Sequence, residues 1–254
     1  MKYTYRKSQY GRPYERFCRE RFPGEAADIC RRAEEHYRAL MTQMPDLGRN
    51  MMANNMLDWF TIVAFYEASG RRLDGEALLE IKRREVARLK LLPRLVDGNR
   101  CRWVYRLFGR TFSHFQKRRA QHQARGEWMD TWQVDIDPGQ DGCEGFRFRF
   151  RLSGCPMAKH ARENGYADLL PYLCRTDYFL AELMHARLIR TQTEALGGQL
   201  LQLLVCGGSK PRSGALSGPE TDLKREPKEP KPCASAYFCA KMMENRQNCW
   251  FLRL

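Results

Sequence analysis

The 254-residue chain carries ten cysteines, yet no two form a CxxC pair and no spacing matches a zinc finger. Its five histidines include no HExxH and no pair three or four residues apart. Nothing in these patterns asks for a metal, and no cofactor is expected. Long apolar runs are missing too. The longest candidate, LLQLLV at 200–205, is far short of a membrane span. The opening MKYTYRKSQYGRPYERF has charge but no apolar core of a signal peptide, so export is not expected. Reduced thiols in a cytoplasmic protein are the expectation, rather than a disulfide framework. Acid is also scarce: 30 acidic residues stand against 44 basic ones, a formal charge of +14. That balance favours encounter with anions of any kind. The densest basic runs, KRRE at 82–85 and QKRRAQHQAR at 116–125, fall in helix-like segments and read as solvated faces. With no nucleic-acid recognition motif beside them, a nucleic-acid partner is not expected.

What is present is enough apolar surface for a core, at 43% hydrophobic and 11% aromatic residues. Residues 1–12 read as a loose lead-in. Over 13–130 the apolar spacing is helical. The predicted helices begin near Pro13, lie within 22–45, 51–70 and 73–96, and fall once more within 99–128. Asp74 is placed to cap the fourth and Gly70 to end the third. Beyond Trp132 the period switches to two. WQVDID and GFRFRFRL read as strands across the turn-rich DPGQDGCEG, with phenylalanines on one face and arginines on the other. A helical pair follows, then a strand in ARLIRTQTEA. The expected fold is therefore α+β: a helical N-terminal half, then a small antiparallel sheet with a helical pair over 131–205, in one domain spanning 13–205. Residues 206–254 are rich in Gly, Pro, Ser, charge and cysteine, and read as a disordered or aberrant tail.

The chemistry-bearing stretch is CPMAKHARENGYADLLPYLCRTD, from Cys155 to Asp177. Pro156 suits the first turn of a helix, which sets Cys155 at or just before the N-cap. A thiol there sits at the positive end of the helix dipole, and its thiolate fraction should rise. A small buried cysteine between strand and helix explains the same spacing. Cys174 and Asp177 are three apart and share a helix face. A carboxylate so close disfavours the thiolate, so Asp177 is better suited to hold a cation, a water or a substrate amine. Arg190 is suited to bidentate capture of a carboxylate, or to pairing with Asp177. Thr191 and Thr193 follow it, before the Gly197–Gly198 turn.

Taken in order, GCP, a helix, LPYLCRTD and IRTQTEALGG resemble the L-2-amino-thiazoline-4-carboxylic acid hydrolase family, as does the helical front around MLDWFTIVAFYEASGRRLDGEALLEI. The resemblance spans roughly residues 15–200. It implies hydrolytic opening of a thiazoline ring to a carbamoyl-cysteine. Cys174 or Cys155 would attack or line the pocket, and Asp177 would hold the amidine or position water. Arg190 would hold the substrate carboxylate, and Thr193 would add a hydrogen bond. No cofactor is implied. The family's final Cys-Asp-Phe strand would fall at Leu201, Gln202 and Leu203, where this chain departs. Leucine and glutamine codons shifted by one base permit Cys, then Asn or Ser, then Phe. A frame-shifted read beyond about Gln199 is therefore an expectation as well. A non-catalytic binding domain on the same scaffold is the rival to the enzyme.

Overall fold

The computed structural model describes residues 10–48, 52–89, 97, 102–136, 146–190 and 201–207. Five helices come first: α1 (Gly11–Arg21), α2 (Ala26–Met41), α3 (Ala53–Ala68), α4 (Gly75–Ala87) and α5 (Arg102–Gln123). Then come β1 (Gln133–Ile136), β2 (Phe146–Ser153), α6 (Pro156–Glu163), a 3-10 turn at Ala167–Leu169, α7 (Leu170–Leu183), β3 (Ala186–Arg190) and β4 (Leu201–Gly207). The fold is α+β, as the change of period at Trp132 implies.

Each helix in the front half is fixed by its apolar face. α3 is the exception that shows why: ANNMLDWFTIVAFYEA is apolar almost all round, and the helix is buried on nearly every side. It is the axis of the core. α1, α2 and α4 pack round it with narrower apolar stripes. Asp74 caps α4 as its position implies, its Oδ1 accepting from the Ala77 N–H at 3.0 Å. Gly75, next in the chain, lies against α7: a Cβ there would stand 2.2 Å from the Tyr172 ring. Only glycine permits that approach.

One cation lies inside this core among the described residues, with a buried carboxylate, Asp58, beside it. Lys82 is 0% exposed, and its Nζ donates to Asp58 Oδ1 and Oδ2 at 3.0 and 3.1 Å and to Glu85 Oε2 at 2.7 Å. The ammonium also lies 5.3 Å from the Tyr14 ring centroid. The KRRE run at 82–85 is thus not one solvated face. Lys82 points inward, Arg83 lies over Phe179, and Arg84 pairs with Glu20 and Glu80. The reason is helical phase: Lys82 stands four residues from both Leu78 and Val86, which are buried.

The sheet is antiparallel in the order β1-β2-β4-β3. Its covered face carries Val134, Phe150, Leu152 and Leu188, all buried. α5 lies on this face, with Phe112 stacked on Phe150 at 4.8 Å. Arg151, on the opposite face from Phe150, is half-buried and pairs in register with Asp135. The core is continuous, from Tyr14 in α1 to Leu188 in β3. Two sequence expectations shift by small amounts. α1 starts at Gly11 instead of Pro13, and β4 runs on to Gly207, past the expected end of order at 205. The lead-in up to residue 9, the continuation of α4 towards 96, the strand beyond Arg190 and the tail from 208 lie outside the described residues. Among the described residues, no helix is long and apolar enough to cross a membrane.

Candidate active site

The register of the sheet decides which sequence candidates come near one another. Ile136 pairs with Phe150, Phe150 with Leu203, and Leu203 with Arg190, so these four positions form one row across the sheet. Position 190 therefore shares the covered face with Phe150 and with Leu188 two residues before it. Strands β2 and β3 each run antiparallel to β4, so their C-terminal ends point the same way. Just beyond the row, β2 ends at Ser153, and Gly154 leads to Cys155.

Cys155 is the N-cap residue of α6, with extended backbone (φ −66°, ψ 111°) and Pro156 in the first turn. Its thiol does not cap the helix, and the side chain is half-buried against the core. The strand-to-helix handover thus occurs where the Cys-Pro step implied it. Gly165, with φ 75°, ends the α6 segment. The chain then turns into α7, which carries Cys174 and Asp177 on one face, both half-buried.

α7 and β3 are joined by a tight reversal in which His185 takes φ 53°. His185 Nδ1 lies 3.5 Å from Asp97 Oδ2, tying the turn down. The helix and strand pack side by side. By helix rise, Asp177 stands about 9 Å and Cys174 about 14 Å back from the end of α7. By strand rise, β3 climbs about 13 Å from Ala186 to Arg190. On these rises the end of β3 lies level with the stretch of α7 that carries Cys174 and Asp177. Cys155 follows the end of β2, which β4 separates from β3. Thr191 and Thr193 lie outside the described residues.

Chemically the candidate set comprises two thiols, a carboxylate and, at the end of β3, Arg190. It supplies candidates for a nucleophile, a proton-transfer group and a carboxylate anchor. No group of three or more His, Cys, Asp or Glu able to hold a metal occurs among the described residues.

Sequence reading missed one nearby buried group. His160, on α6, is 8% exposed, and its Nδ1 accepts from the Trp59 indole N–H at 3.1 Å. That bond leaves the proton on Nε2, which is buried and has no hydrogen-bond partner among the described residues. Burial holds its pKa below the usual histidine value, with Glu163 pulling weakly the other way. The signal was present in the sequence: His160 falls between Ala158 and Ala161 on the short helix after Pro156, and these three are buried together.

Position 201 matters for a different reason. Leu201 pairs with Leu152 at the Cys155 end of the sheet, and Leu203 lies in the Arg190 row. The slots that depart from the expected Cys-Asp-Phe are therefore in β4, between β2 and β3.

No curated protein matches this chain, and no solved structure does. One family model matches residues 49–200, which takes in α3 to β3 and stops one residue short of β4. It is the model for L-2-amino-thiazoline-4-carboxylic acid hydrolase. The matched stretch is more than half of the chain and contains Cys155, Cys174, Asp177 and Arg190. The chain belongs to the L-2-amino-thiazoline-4-carboxylic acid hydrolase family.

Proposed function

We propose that this chain is a cytoplasmic, single-domain hydrolase for a small cyclic amidine bearing a carboxylate, of the 2-amino-thiazoline-4-carboxylate type. Water adds at the amidine carbon, the ring C–N bond breaks, and the ring nitrogen leaves protonated, giving a carbamoyl-cysteine. In the covalent version a thiolate, Cys174 or Cys155, makes the first attack, and water releases the product from it. Asp177 holds the amino group or positions the water, Arg190 takes the substrate carboxylate and Thr193 adds a hydrogen bond. Neither a metal nor a cofactor enters any step.

The observation that carries this reading is the family match over residues 49–200, which contains Cys155, Cys174, Asp177 and Arg190; the packing of α7, with Cys174 and Asp177 on one half-buried face, beside β3 supports it. These residues are the pieces whose order resembles the family. The test is turnover of 2-amino-thiazoline-4-carboxylate by the purified chain, with the product followed by mass as substrate plus one water. Full turnover by both Cys155→Ser and Cys174→Ser would end the covalent version.

A second reading is favoured by one observation: the family match stops at residue 200, and Leu-Gln-Leu stands at 201–203 in the central strand. On it, the chain binds the same small carboxylate without turning it over. It predicts a ligand-induced rise in Tm with no product. A frame-shifted read beyond about Gln199 accounts for the departure. The triple change Leu201→Cys, Gln202→Asp and Leu203→Phe should then bring turnover to a chain that lacks it. An intact gene in this frame, with relatives sharing residues 208–254, would rule the frame shift out.

A further inference from the structure

The helix α5, RWVYRLFGRTFSHFQKRRAQHQ, contains Arg102, Arg106, Arg110, Lys117, Arg118 and Arg119 and no acidic residue at all. Its orientation is fixed from within, because Phe112 and Phe115 are buried in the core. The outward side then carries Trp103, Arg106, Arg110, His114, Lys117 and Gln121, all exposed and spaced by three or four residues. Arg106, Arg110 and Lys117 make no ion pair or hydrogen bond among the described residues. Arg12, Arg16, Arg21 and Arg88 share this among the described residues, while other cations are paired. In α2, Arg31, Arg32 and Arg38 are each paired with an acidic residue of the same helix. In α4, Arg84 pairs with both Glu80 and Glu20.

We propose that the outer face of α5 is a docking surface for single-stranded nucleic acid. Three cations from Arg106 to Lys117 form a row about 16 Å long, suited to successive phosphates. Trp103, at the head of the row, is 53% exposed and one of only two large apolar side chains so exposed among the described residues. An exposed indole beside a basic row is the pairing that stacks an unpaired base while cations hold the backbone. The charge alone also fits an acidic protein, but an acidic chain gives Trp103 no base to stack on. A lipid surface fits less well, since the apolar side of α5 is already used against Phe150 and the core.

The full chain is titrated into a fluorescently labelled oligothymidylate of about 20 nucleotides, with anisotropy read at several salt concentrations. Three phosphate contacts give a log–log salt slope of about −2. Trp103→Ala should weaken binding by about fivefold or more. The triple change Arg106→Glu, Arg110→Glu and Lys117→Glu should abolish binding at 0.1 M salt with the far-UV spectrum and Tm retained. A control with the same change of charge elsewhere, Arg12→Glu, Arg21→Glu and Arg88→Glu, alters exposed residues of the front half and should stay within about twofold of the parent. Equal loss in the control would show that net charge drives the association, and overturns the proposal. So would polyglutamate binding as tight as the oligonucleotide, or no binding by the parent chain at low salt.

Discussion

The helical front and the sheet end solve the problem of burying polar groups in opposite ways. In the front, the one buried cation among the described residues, Lys82, is answered at hydrogen-bond distance by Asp58 and Glu85. The arginines of α2 are each matched by an acid one turn away. At the sheet end Cys155, Cys174 and Asp177 are only half-buried. An ion cluster round a fully buried ammonium supports a scaffold. Half-buried thiols and a half-buried carboxylate leave room for a ligand, as the proposed function requires. The family match spans both regions: it takes in α3 and α4 with the Lys82 cluster and the sheet up to β3, and leaves α1, α2 and β4 outside.

The contrast predicts that front-half substitutions act on stability and sheet-end substitutions on turnover. The largest effect should come from Lys82→Met. It leaves Asp58 and Glu85 charged without their cation and should cost about 3–5 kcal/mol in denaturant unfolding. A loss below about 1 kcal/mol would mean that the ionic cluster is not what closes the front. Asp177→Ala should lower turnover about a hundredfold or more, with Tm within about 2 °C of the parent. A large fall in Tm would move Asp177 from site to scaffold. Gly75→Ala should cost about 1–3 kcal/mol, because its Cβ meets the Tyr172 ring. Combining it with Tyr172→Ala should recover part of that loss. Arg38→Ala, which removes an exposed ion pair with Glu34, should change stability by less than about 0.5 kcal/mol.

A pH dependence separates the two regions further. The folded-state pKa of His160 lies below its unfolded value of about 6.5. The folded state then holds fewer protons than the unfolded one, and stability is fully present above pH ~6.5 and falls as pH drops through the folded pKa. His160→Gln should flatten that part of the stability–pH curve, read by urea midpoints at pH 5 and 7.

Much of this was legible beforehand. The helical and alternating periods mark out α1–α5 and the β1–β2 pair, Asp74 announces its cap, and the Cys-Pro step announces the handover at α6. What stayed hidden depends on three-dimensional partners. A run such as KRRE does not say which of its charges turns inward until Leu78 and Val86 fix the phase. β4, in LLQLLV, reads as a short apolar run that fits strand or helix equally. Only its register with β2 and β3 makes it central and aligns Arg190 with Phe150. The lone cations of α5 look in sequence like any solvated face, because pairing is visible only once the neighbours are placed.

The central claim, that the sheet end is a hydrolytic site, is tested most directly by incubating the parent chain and Asp177→Ala with 2-amino-thiazoline-4-carboxylate and reading product by mass. The account predicts substrate plus one water from the parent and almost none from a variant that unfolds at the same temperature. Equal product from both, or turnover lost only when the variant also loses its fold, would contradict it.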